Sequence, residues 1–264
     1  MKLIVDIGNT NTKYCLWSED GGARAVGKVS TSLQSFQLVE AELKSISLDD
    51  KPLAWQFKDA EVVVVSVVPD CGKAFVTAAK EHGALVYLIE ATTQPVLKDM
   101  PKEMGADRVA EAIGAWSAYR KEGRPMIIIG FGTASTLFTI SADAAVGGGF
   151  IGPGVKMLLT ALARDCALLP EVRLPESGDV SDLGLGHTTE TQMRAGVTFM
   201  FKGMVQEWLS QARLELKGEP VIVATGGYSA LVARLLPGVF DAVDTTLALK
   251  GAAFIAGSID KAKV

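Results

Sequence analysis

Residues 3–12 read LIVDIGNTNT, a run of β-forming apolar residues that contains one carboxylate, Asp6, and enters a Gly-Asn-Thr turn. The same order returns at residues 126–136, which read MIIIGFGTAST and lead into a second β run at residues 137–140. An apolar β run, a tight turn of Gly and small polar residues, and another β run together indicate a β-hairpin. Because one such stretch opens each half of the chain, the pair predicts an internal duplication.

A second pair of segments repeats in the same order. Residues 62–66 (VVVVS) and residues 221–225 (VIVAT) are each followed by a turn that contains Gly or Pro and then by an apolar helical pattern. A last strand and a last helix are predicted in each half, near residues 85–89 and 106–119 and near residues 242–247 and 249–258. This alternation of strands and helices is typical of the α/β class.

The duplication sets the expected domain boundaries. We predict two α/β lobes, residues 1–120 and residues 121–264. The second lobe is longer, and we assign the difference to a helical insertion over about residues 147–216. Within it, the periodicity of apolar residues predicts helices at 155–168 and 189–214. The Met- and aromatic-rich stripe of the second helix is expected to face a core or a subunit interface.

Composition and charge exclude several classes of protein. With 48% hydrophobic and 21% charged residues, the chain can fill a core and is not of the disordered class. Its formal net charge of -4, without a block of like charges, gives no support for a nucleic-acid partner. Three scattered cysteines and two histidines argue against a zinc site and against catalysis by a positioned imidazole. Each cysteine is expected to be a small core residue.

Neither a membrane span nor a signal peptide is predicted. The longest β-type apolar run, residues 62–68, is far shorter than the roughly 18 residues that cross a bilayer. At the amino terminus, Lys2 is followed by three apolar residues and then by Asp6, which is too short for the apolar core of a signal peptide. We therefore expect a cytoplasmic protein without a membrane partner.

The two hairpin turns are candidates for phosphate binding. Turns rich in Gly, Asn and Thr present backbone N–H groups and hydroxyls with few side chains in the way, which suits a small polyanion. Asp6 supplies the hard oxygen that Mg²⁺ prefers when the ion bridges nucleotide phosphates. Residues 225–227 (TGG) form a third loop of close approach. Neither a Walker P-loop nor a dinucleotide-binding glycine pattern is present, and each turn taken singly could be an ordinary hairpin.

The three loops resemble the phosphate-1, phosphate-2 and adenosine motifs of the acetate and sugar kinase, Hsp70 and actin superfamily. More narrowly, the sequence resembles the type III pantothenate kinase family. The matching stretches are residues 6–13, 105–108, 130–134 and 148–154, together with Thr189 and Gly196. The resemblance implies duplicated ribonuclease-H-like lobes with a central ATP cleft, a homodimer, and the use of ATP, Mg²⁺ and a monovalent cation such as K⁺ or NH₄⁺. It further implies phosphorylation of pantothenate, the first step of coenzyme A synthesis.

The resemblance also implies roles for individual residues. Those expected to contact ATP are Asp6, Ile7, Gly8, Asn9, Thr10, Asn11, Thr12, Lys13, Thr133, Gly226 and Gly227, with Asp6 as the metal ligand. Those expected to contact pantothenate are Lys98, Gly105, Ala106, Asp107, Arg108 and Thr189, with Asp107 as the catalytic base. The role of Asp107 as the base is chemically reasonable, because phosphoryl transfer to a primary hydroxyl needs a carboxylate that orients the hydroxyl and accepts its proton. The alternative is that Asp107 only begins a helix, where an acidic residue is favoured.

Two positions depart from the family pattern. Gly130 stands where the phosphate-2 motif has the Asp that ligates the monovalent cation, so dependence on that cation is expected to weaken. Lys98 stands where the family has a Tyr that contacts the substrate. Two other functions therefore stay open: a non-catalytic relative that acts as a transcription accessory factor, and a superfamily kinase with a different hydroxyl acceptor.

Overall fold

The computed structural model describes residues 1–18, 22–48, 51–53, 55–174 and 184–258. In chain order the elements are β1 (Lys2–Ile7), β2 (Asn11–Trp17), β3 (Ala23–Ser30), α1 (Ser35–Ser45), β4 (Ser47–Leu48), β5 (Lys51–Pro52), β6 (Glu61–Ser66), α2 (Pro69–Glu81), β7 (Leu85–Leu88), α3 (Ala106–Tyr119), β8 (Met126–Phe131), β9 (Ala134–Ile140), β10 (Val146–Pro153), α4 (Val155–Asp165), α5 (Thr189–Glu215), β11 (Val221–Thr225), α6 (Ser229–Leu235), β12 (Ala242–Val243) and α7 (Leu247–Ser258). The chain forms two compact units, one of Met1–Ser117 with the chain from Leu247 onward, and one of Ala118–Thr246.

The first unit contains a five-stranded sheet in the order β3-β2-β1-β6-β7. Strands β1, β2 and β3 are antiparallel neighbours, whereas β6 and β7 continue the sheet parallel to β1. The four consecutive valines of β6 are fully buried, as expected for a strand covered on both faces. Asp6 lies next to the end of β1, opposite Lys13 on one side and Val65 on the other.

The second unit repeats this topology with the order β10-β9-β8-β11-β12. Its central strand β8 pairs antiparallel with β9 and parallel with β11, as β1 pairs with β2 and β6. Gly130 occupies the place in β8 that Asp6 occupies in β1, opposite Thr136 and Thr225. The predicted pair of duplicated α/β units is therefore confirmed, and so is the correspondence between the two turns.

The predicted insertion is shorter than residues 147–216. Its first part, Val146–Pro153, is strand β10, the counterpart of β3 at the edge of the sheet. The sequence pattern does not predict this strand, because the three consecutive glycines at 147–149 carry no side chains that could alternate between its two faces. A Cβ atom at Gly149 would lie 2.9 Å from the Leu137 carbonyl carbon, so close pairing with β9 requires glycine there. Helix α4 follows β10 as α1 follows β3, which leaves α5 as the long additional helix.

The sequence predicts a second lobe that extends to residue 264. In the structure, however, helix α7 belongs to the first unit. It packs against β1, β2 and β6 and touches α3 through two glycines. A Cβ atom at Gly114 would lie 3.1 Å from the Gly251 nitrogen, and one at Gly251 would lie 2.8 Å from the Gly114 nitrogen. The chain thus leaves the first unit after α3 and returns to it with its last described helix.

Each unit has its own apolar core. In the first, Phe36, Phe57 and Phe75 cluster beneath the sheet, with rings 4.7 to 5.4 Å apart. In the second, α5 contributes the predicted stripe, since Met193, Val197, Phe201 and Val205 are buried against β8 and its neighbours, whereas Met200 is 52% exposed. Cys15 and Cys71 are buried as expected, but Cys166 follows the end of α4 and is exposed. No helix among the described residues combines the length and apolarity that crossing a bilayer requires.

Candidate active site

The first turn, residues 8–10, is held by hydrogen bonds within the turn and from Thr31, the residue that follows β3. The Gly8 N–H donates to the Asn11 carbonyl oxygen over 3.1 Å, which closes the turn between β1 and β2. The Thr31 hydroxyl donates to the Gly8 carbonyl oxygen at 2.7 Å, and the Thr31 N–H donates to the Thr10 carbonyl oxygen at 3.2 Å. Asn9 is exposed beside Thr10 at the tip of the turn. This fixed loop with polar exposed groups suits an anionic ligand.

Thr12 stabilises the turn through hydrogen bonds of its side chain. Its side chain is fully buried, and its hydroxyl bonds to the hydroxyls of Thr31, at 3.1 Å, and Ser35, at 3.2 Å. The next residue in β2, Lys13, is half-buried and lies opposite Asp6. A cation is thereby held beside the carboxylate at the end of β1.

Asp107 lies in the first turn of α3. Its Oδ1 atom accepts a hydrogen bond of 2.7 Å from the Arg108 N–H, which fixes the carboxylate at the positive end of the helix. Gly105 precedes the helix, and a Cβ atom there would lie 2.8 Å from Asp107 Oδ1 and 3.4 Å from Val67 Cγ1. The glycine therefore makes room for the carboxylate, next to the chain that leaves the carboxyl end of β6.

Three carboxyl groups and two cations act on one another at this end of the sheet. Burial raises the pKa of Asp6, the charge of Lys13 lowers it and the charge of Asp107 raises it, and together these effects bring the pKa to about 6. Burial also raises the pKa of Asp107, but the Arg108 N–H and guanidinium counteract this. The pKa of Glu111 is raised most, to about 8, first by burial and then by the charges of Asp107 and Asp6. All three carboxyl groups at this end of the sheet therefore retain protons more readily than they would in water.

The donor set fits a hard divalent cation bound mainly through a phosphate ligand. Within the described residues, no group of three or more His, Cys, Asp or Glu side chains is arranged to hold a metal ion by itself. Mg²⁺ in nucleotide sites commonly takes one or two carboxylates and completes its shell with phosphate oxygens and water. Asp6 suits this role, because a cation nearby would favour the ionised carboxylate that burial disfavours.

In the second unit, two glycines allow the corresponding loops to approach closely. The Gly154 N–H donates to the Thr133 carbonyl oxygen at 3.1 Å and so ties the start of α4 to the turn between β8 and β9. Gly226 has φ +92°, and a Cβ atom there would lie 2.5 Å from the Phe131 carbonyl oxygen. A residue other than glycine would be strained at this position. Thr133 and Gly227 are exposed on their loops.

Thr189 lies in the second unit, where it begins α5. Thr188 caps the helix, since its hydroxyl accepts a hydrogen bond of 3.3 Å from the Thr191 N–H. Thr189 and Gly196 both line an apolar groove of about 570 Å³ between α4 and α5. Lys98 lies in the irregular segment before α3 in the first unit, with its side chain exposed. Asp6, Lys13, Asp107 and Arg108 are therefore the predicted site residues that the first unit brings together.

Sequence reasoning missed three residues that shape the site. Thr31 and Ser35 brace the first turn, but they belong to no motif, and only the pairing of β2 with β3 brings them to it. Glu111 could have been found, because it follows Asp107 by four residues in a predicted helix. Residues at this spacing share a helix face.

Comparisons with known proteins show the family of this chain. A family model described as type III pantothenate kinase matches residues 2–211. A type III pantothenate kinase of Methylacidiphilum infernorum is 33% identical over 99% of this chain and 90% of its own length. One of Kosmotoga olearia is 30% identical over 99% of this chain and 97% of its own length.

Solved structures show the same fold at low sequence identity. A Baf family transcriptional activator from Campylobacter jejuni has a TM-score of 0.58 at 15% identity, covering 97% of this chain and 98% of that one. An inorganic polyphosphate/ATP-glucomannokinase from Arthrobacter has a TM-score of 0.54 at 16% identity, covering 98% of this chain and 99% of that one. These likenesses concern the fold alone, so they favour neither a transcriptional activator nor a glucomannokinase as the function of this chain.

Proposed function

This chain belongs to the type III pantothenate kinase family, and from that premise we propose that it transfers the terminal phosphoryl group of ATP to the primary hydroxyl of pantothenate. The product is 4'-phosphopantothenate, and the reaction opens coenzyme A synthesis. The observation that carries the proposal is the placement of Asp107 at the start of α3, where its charge acts on Asp6 near the end of β1, in a chain matched by the family model from residue 2 to residue 211.

Asp107 acts as the base. Its Oδ1 atom accepts the Arg108 N–H, which leaves lone pairs of the carboxylate for the substrate hydroxyl. As the hydroxyl oxygen attacks the phosphorus, its proton passes to the Asp107 carboxylate, and the bond from phosphorus to the leaving ADP oxygen breaks. The positive end of α3 and the Arg108 guanidinium favour the ionised carboxylate before this transfer.

The nucleotide contacts are proposed residue by residue. Residues 6–13 would hold phosphate oxygens through the backbone of the turn and through Lys13, and Thr133, Gly226 and Gly227 would contact the nucleotide from their own loops. Asp6 is the group that would hold Mg²⁺, directly or through water, and the ion would neutralise phosphate charge. The braced geometry around Gly8 and the close approach at Gly226 support these assignments.

Contacts to pantothenate are proposed for residues 105–108, Thr189 and Lys98. Pantothenate carries a carboxylate, and an anion in a partly enclosed site needs donors or a positive group. Arg108, half-buried next to the base, is such a group. Lys98 would add a charge-assisted contact if its ammonium turns to the substrate.

A homodimer, a cytoplasmic location and weak dependence on a monovalent cation complete the proposal. Support for the dimer comes from α5 and its surroundings, where Phe199 is 49% and Met200 is 52% exposed beside the apolar groove. Apolar side chains grouped on one surface are typical of subunit interfaces. Gly130 supports the cation proposal, because it offers a carbonyl where the family has a carboxylate.

The experiment is an assay of ADP release with pantothenate and a panel of other alcohols. We expect turnover with pantothenate. In the Asp107→Asn variant, turnover should fall by a factor of about 10² or more, while ATP still binds. Asp70→Asn is the matched control, since Asp70 holds the equivalent second position of α2 and is exposed. If the Asp107→Asn variant turned over as fast as the wild type, the assignment of Asp107 as the base would be refuted. ADP release only with another alcohol would favour a different acceptor, and none with any alcohol would favour a non-catalytic relative.

A further inference from the structure

The turn between β1 and β2 lacks a hydrogen bond that a hairpin with a two-residue loop commonly makes. The Gly8 N–H donates to the Asn11 carbonyl oxygen over 3.1 Å. The return bond would run from the Asn11 N–H to the Gly8 carbonyl oxygen. It is not found in the part of the chain that the structure describes. The hydroxyl of Thr31 donates to the Gly8 carbonyl oxygen instead, at 2.7 Å.

The Thr31 hydroxyl belongs to a cluster in which each bond has an assignable direction, because each hydroxyl has one proton. Ser35 gives its proton to the Ser32 carbonyl oxygen at 2.7 Å. Thr31 gives its own to the Gly8 carbonyl oxygen, so neither hydroxyl has a proton left for Thr12. The buried Thr12 hydroxyl therefore donates toward both, over 3.2 Å to Ser35 and 3.1 Å to Thr31. Donation from Thr12 to Thr31 strengthens the bond that Thr31 makes to the turn.

The bond from Thr31 determines where N–H groups of the turn point. The C=O of Gly8 and the N–H of Asn9 belong to one planar trans peptide unit, in which they point in opposite directions. Because the hydroxyl holds this carbonyl toward the end of β3, the Asn9 N–H is turned away from β3. The Asn11 N–H is not used to close the turn, and both asparagines are exposed. The turn thus presents N–H donors to a ligand.

The same residue turns carbonyl oxygens away from the ligand. A carbonyl oxygen carries partial negative charge, so it would repel a phosphate oxygen that approached the turn. Thr31 holds the Gly8 carbonyl with its hydroxyl and the Thr10 carbonyl, at 3.2 Å, with its N–H. Both acceptors therefore face β3. A loop whose N–H groups are open and whose carbonyls are occupied is suited to an anion.

We propose that Thr31 is a positioning residue for the nucleotide, because its hydroxyl holds the turn in the conformation whose N–H groups bind phosphate oxygens. The inference rests on the proposed function, in which this turn contacts ATP. Thr31 acts through the backbone of the turn and not on the phosphate itself. Its loss should therefore weaken ATP binding and leave the proton transfer to Asp107 unchanged.

The test compares Thr31→Val with Thr31→Ser in ATP binding, measured by isothermal titration calorimetry with Mg²⁺ and without pantothenate. Val keeps the shape and removes the hydroxyl, so Kd for ATP should rise by about tenfold. Ser keeps the hydroxyl, so its Kd should stay within about threefold of wild type. A Thr31→Val protein that binds ATP as tightly as wild type would overturn the proposal, and so would a Thr31→Ser protein as impaired as Thr31→Val.

Thr139→Val is the matched control for a merely structural loss. The buried Thr139 hydroxyl also donates to a glycine carbonyl, that of Gly148, at 3.2 Å. It lies near the end of β9 that is remote from the turn at residues 132–133. Both Val variants should melt at lower temperature than wild type, but Thr139→Val should bind ATP normally. Equal weakening of ATP binding by the two variants would overturn the proposal.

Amide signals of the wild type test the geometry without a substitution. In ¹⁵N-labelled protein, ATP should shift the backbone N–H signals of Asn9 and Asn11, because phosphate oxygens become their acceptors. Adenosine, which has no phosphate, should leave these two signals in place. Signals of Asn9 and Asn11 that do not move at saturating ATP would overturn the proposal, whether or not Thr31→Val folds.

Steady-state kinetics separate this inference from the proposed function. With pantothenate as acceptor, Thr31→Val should raise KM for ATP by about tenfold while kcat and KM for pantothenate change little, as for a lost contact that acts equally before and in the transition state. A fall in kcat with unchanged KM for ATP would overturn the proposal. A wild type that binds ATP but does not phosphorylate pantothenate would refute the proposed acceptor, whereas the binding comparison would still decide the role of Thr31.

Discussion

Replacing Gly251 by Ala tests how closely α7 must lie against α3. The added Cβ atom would overlap the Ala110 carbonyl oxygen and would lie 2.7 Å from the Ala110 carbonyl carbon and 2.8 Å from the Gly114 nitrogen. These are backbone atoms of a helix and cannot rotate away. Because ordinary van der Waals contact begins near 3.4 Å, the two helices must separate by well over half an ångström.

Two effects of opposite sign then compete. Ala is a better helix former than Gly by about 1 kcal/mol, which favours the variant. Overpacking a well-packed contact costs about 1 to 3 kcal/mol and sometimes more, and here the obstacle is rigid. The overlap with backbone atoms outweighs the gain in helix propensity, so we expect the free energy of unfolding to fall by about 1 to 2 kcal/mol. For a chain of this size, that corresponds to a fall of roughly 2 to 8 °C in the melting temperature.

The assay is thermal unfolding followed by circular dichroism, with Gly203→Ala as the matched control. Gly203 also lies within a helix, α5, but is exposed, and a Cβ atom there would have no neighbour within 4 Å. Only the gain in helix propensity remains, so Gly203→Ala should melt at the same temperature as wild type or higher. A Gly251→Ala protein that is as stable as Gly203→Ala would refute the close contact between α7 and α3.

Three further predictions concern the proposed activity. Activity should differ little between K⁺ and Na⁺, because Gly130 offers no carboxylate to select a cation, and a strict K⁺ requirement in ADP-release assays would contradict this. Lys98→Ala should raise KM for pantothenate more than KM for pantothenamides that lack the carboxylate, with kcat little changed; equal responses would mean that Lys98 does not hold the substrate carboxylate. Light scattering at micromolar concentration should give the mass of a dimer, and the mass of a monomer would disprove that assembly.

Local sequence patterns were sufficient wherever a feature depends on consecutive residues. The helix predicted at 106–119 coincides with α3, because Gly105 ends the preceding segment and apolar residues then recur with helical spacing. The two hairpins were likewise predictable from apolar runs that end in Gly-containing turns. Strand β10 was not, since its glycines at 147–149 lack the alternation that marks a strand, and only pairing with β9 reveals it.

Features that depend on distant contacts could not be predicted. The helix near residues 249–258 was predicted, but nothing in its own sequence indicates that it packs in the first unit and not in the second. Thr31 becomes part of the phosphate turn only through a strand pairing, and its hydroxyl contact with Gly8 spans 23 positions of the chain. The carboxyl of Glu111 resembles an ordinary exposed helix residue until the burial and the charge of Asp6 are known.

The return of α7 to the first unit has a consequence for synthesis on the ribosome. The sheet that carries Asp6 and the helix that carries Asp107 are translated first, but the helix that covers β1 and β6 is translated only after the whole of Ala118–Thr246. At about 5 to 20 residues per second, those roughly 130 residues take about 6 to 26 s. During that interval the nascent first unit exposes an apolar sheet face, whereas the second unit can fold as soon as it emerges. The earliest residues of the chain are therefore among the last to reach their native surroundings, and a nascent chain stalled before Leu247 would present a surface for chaperones to bind.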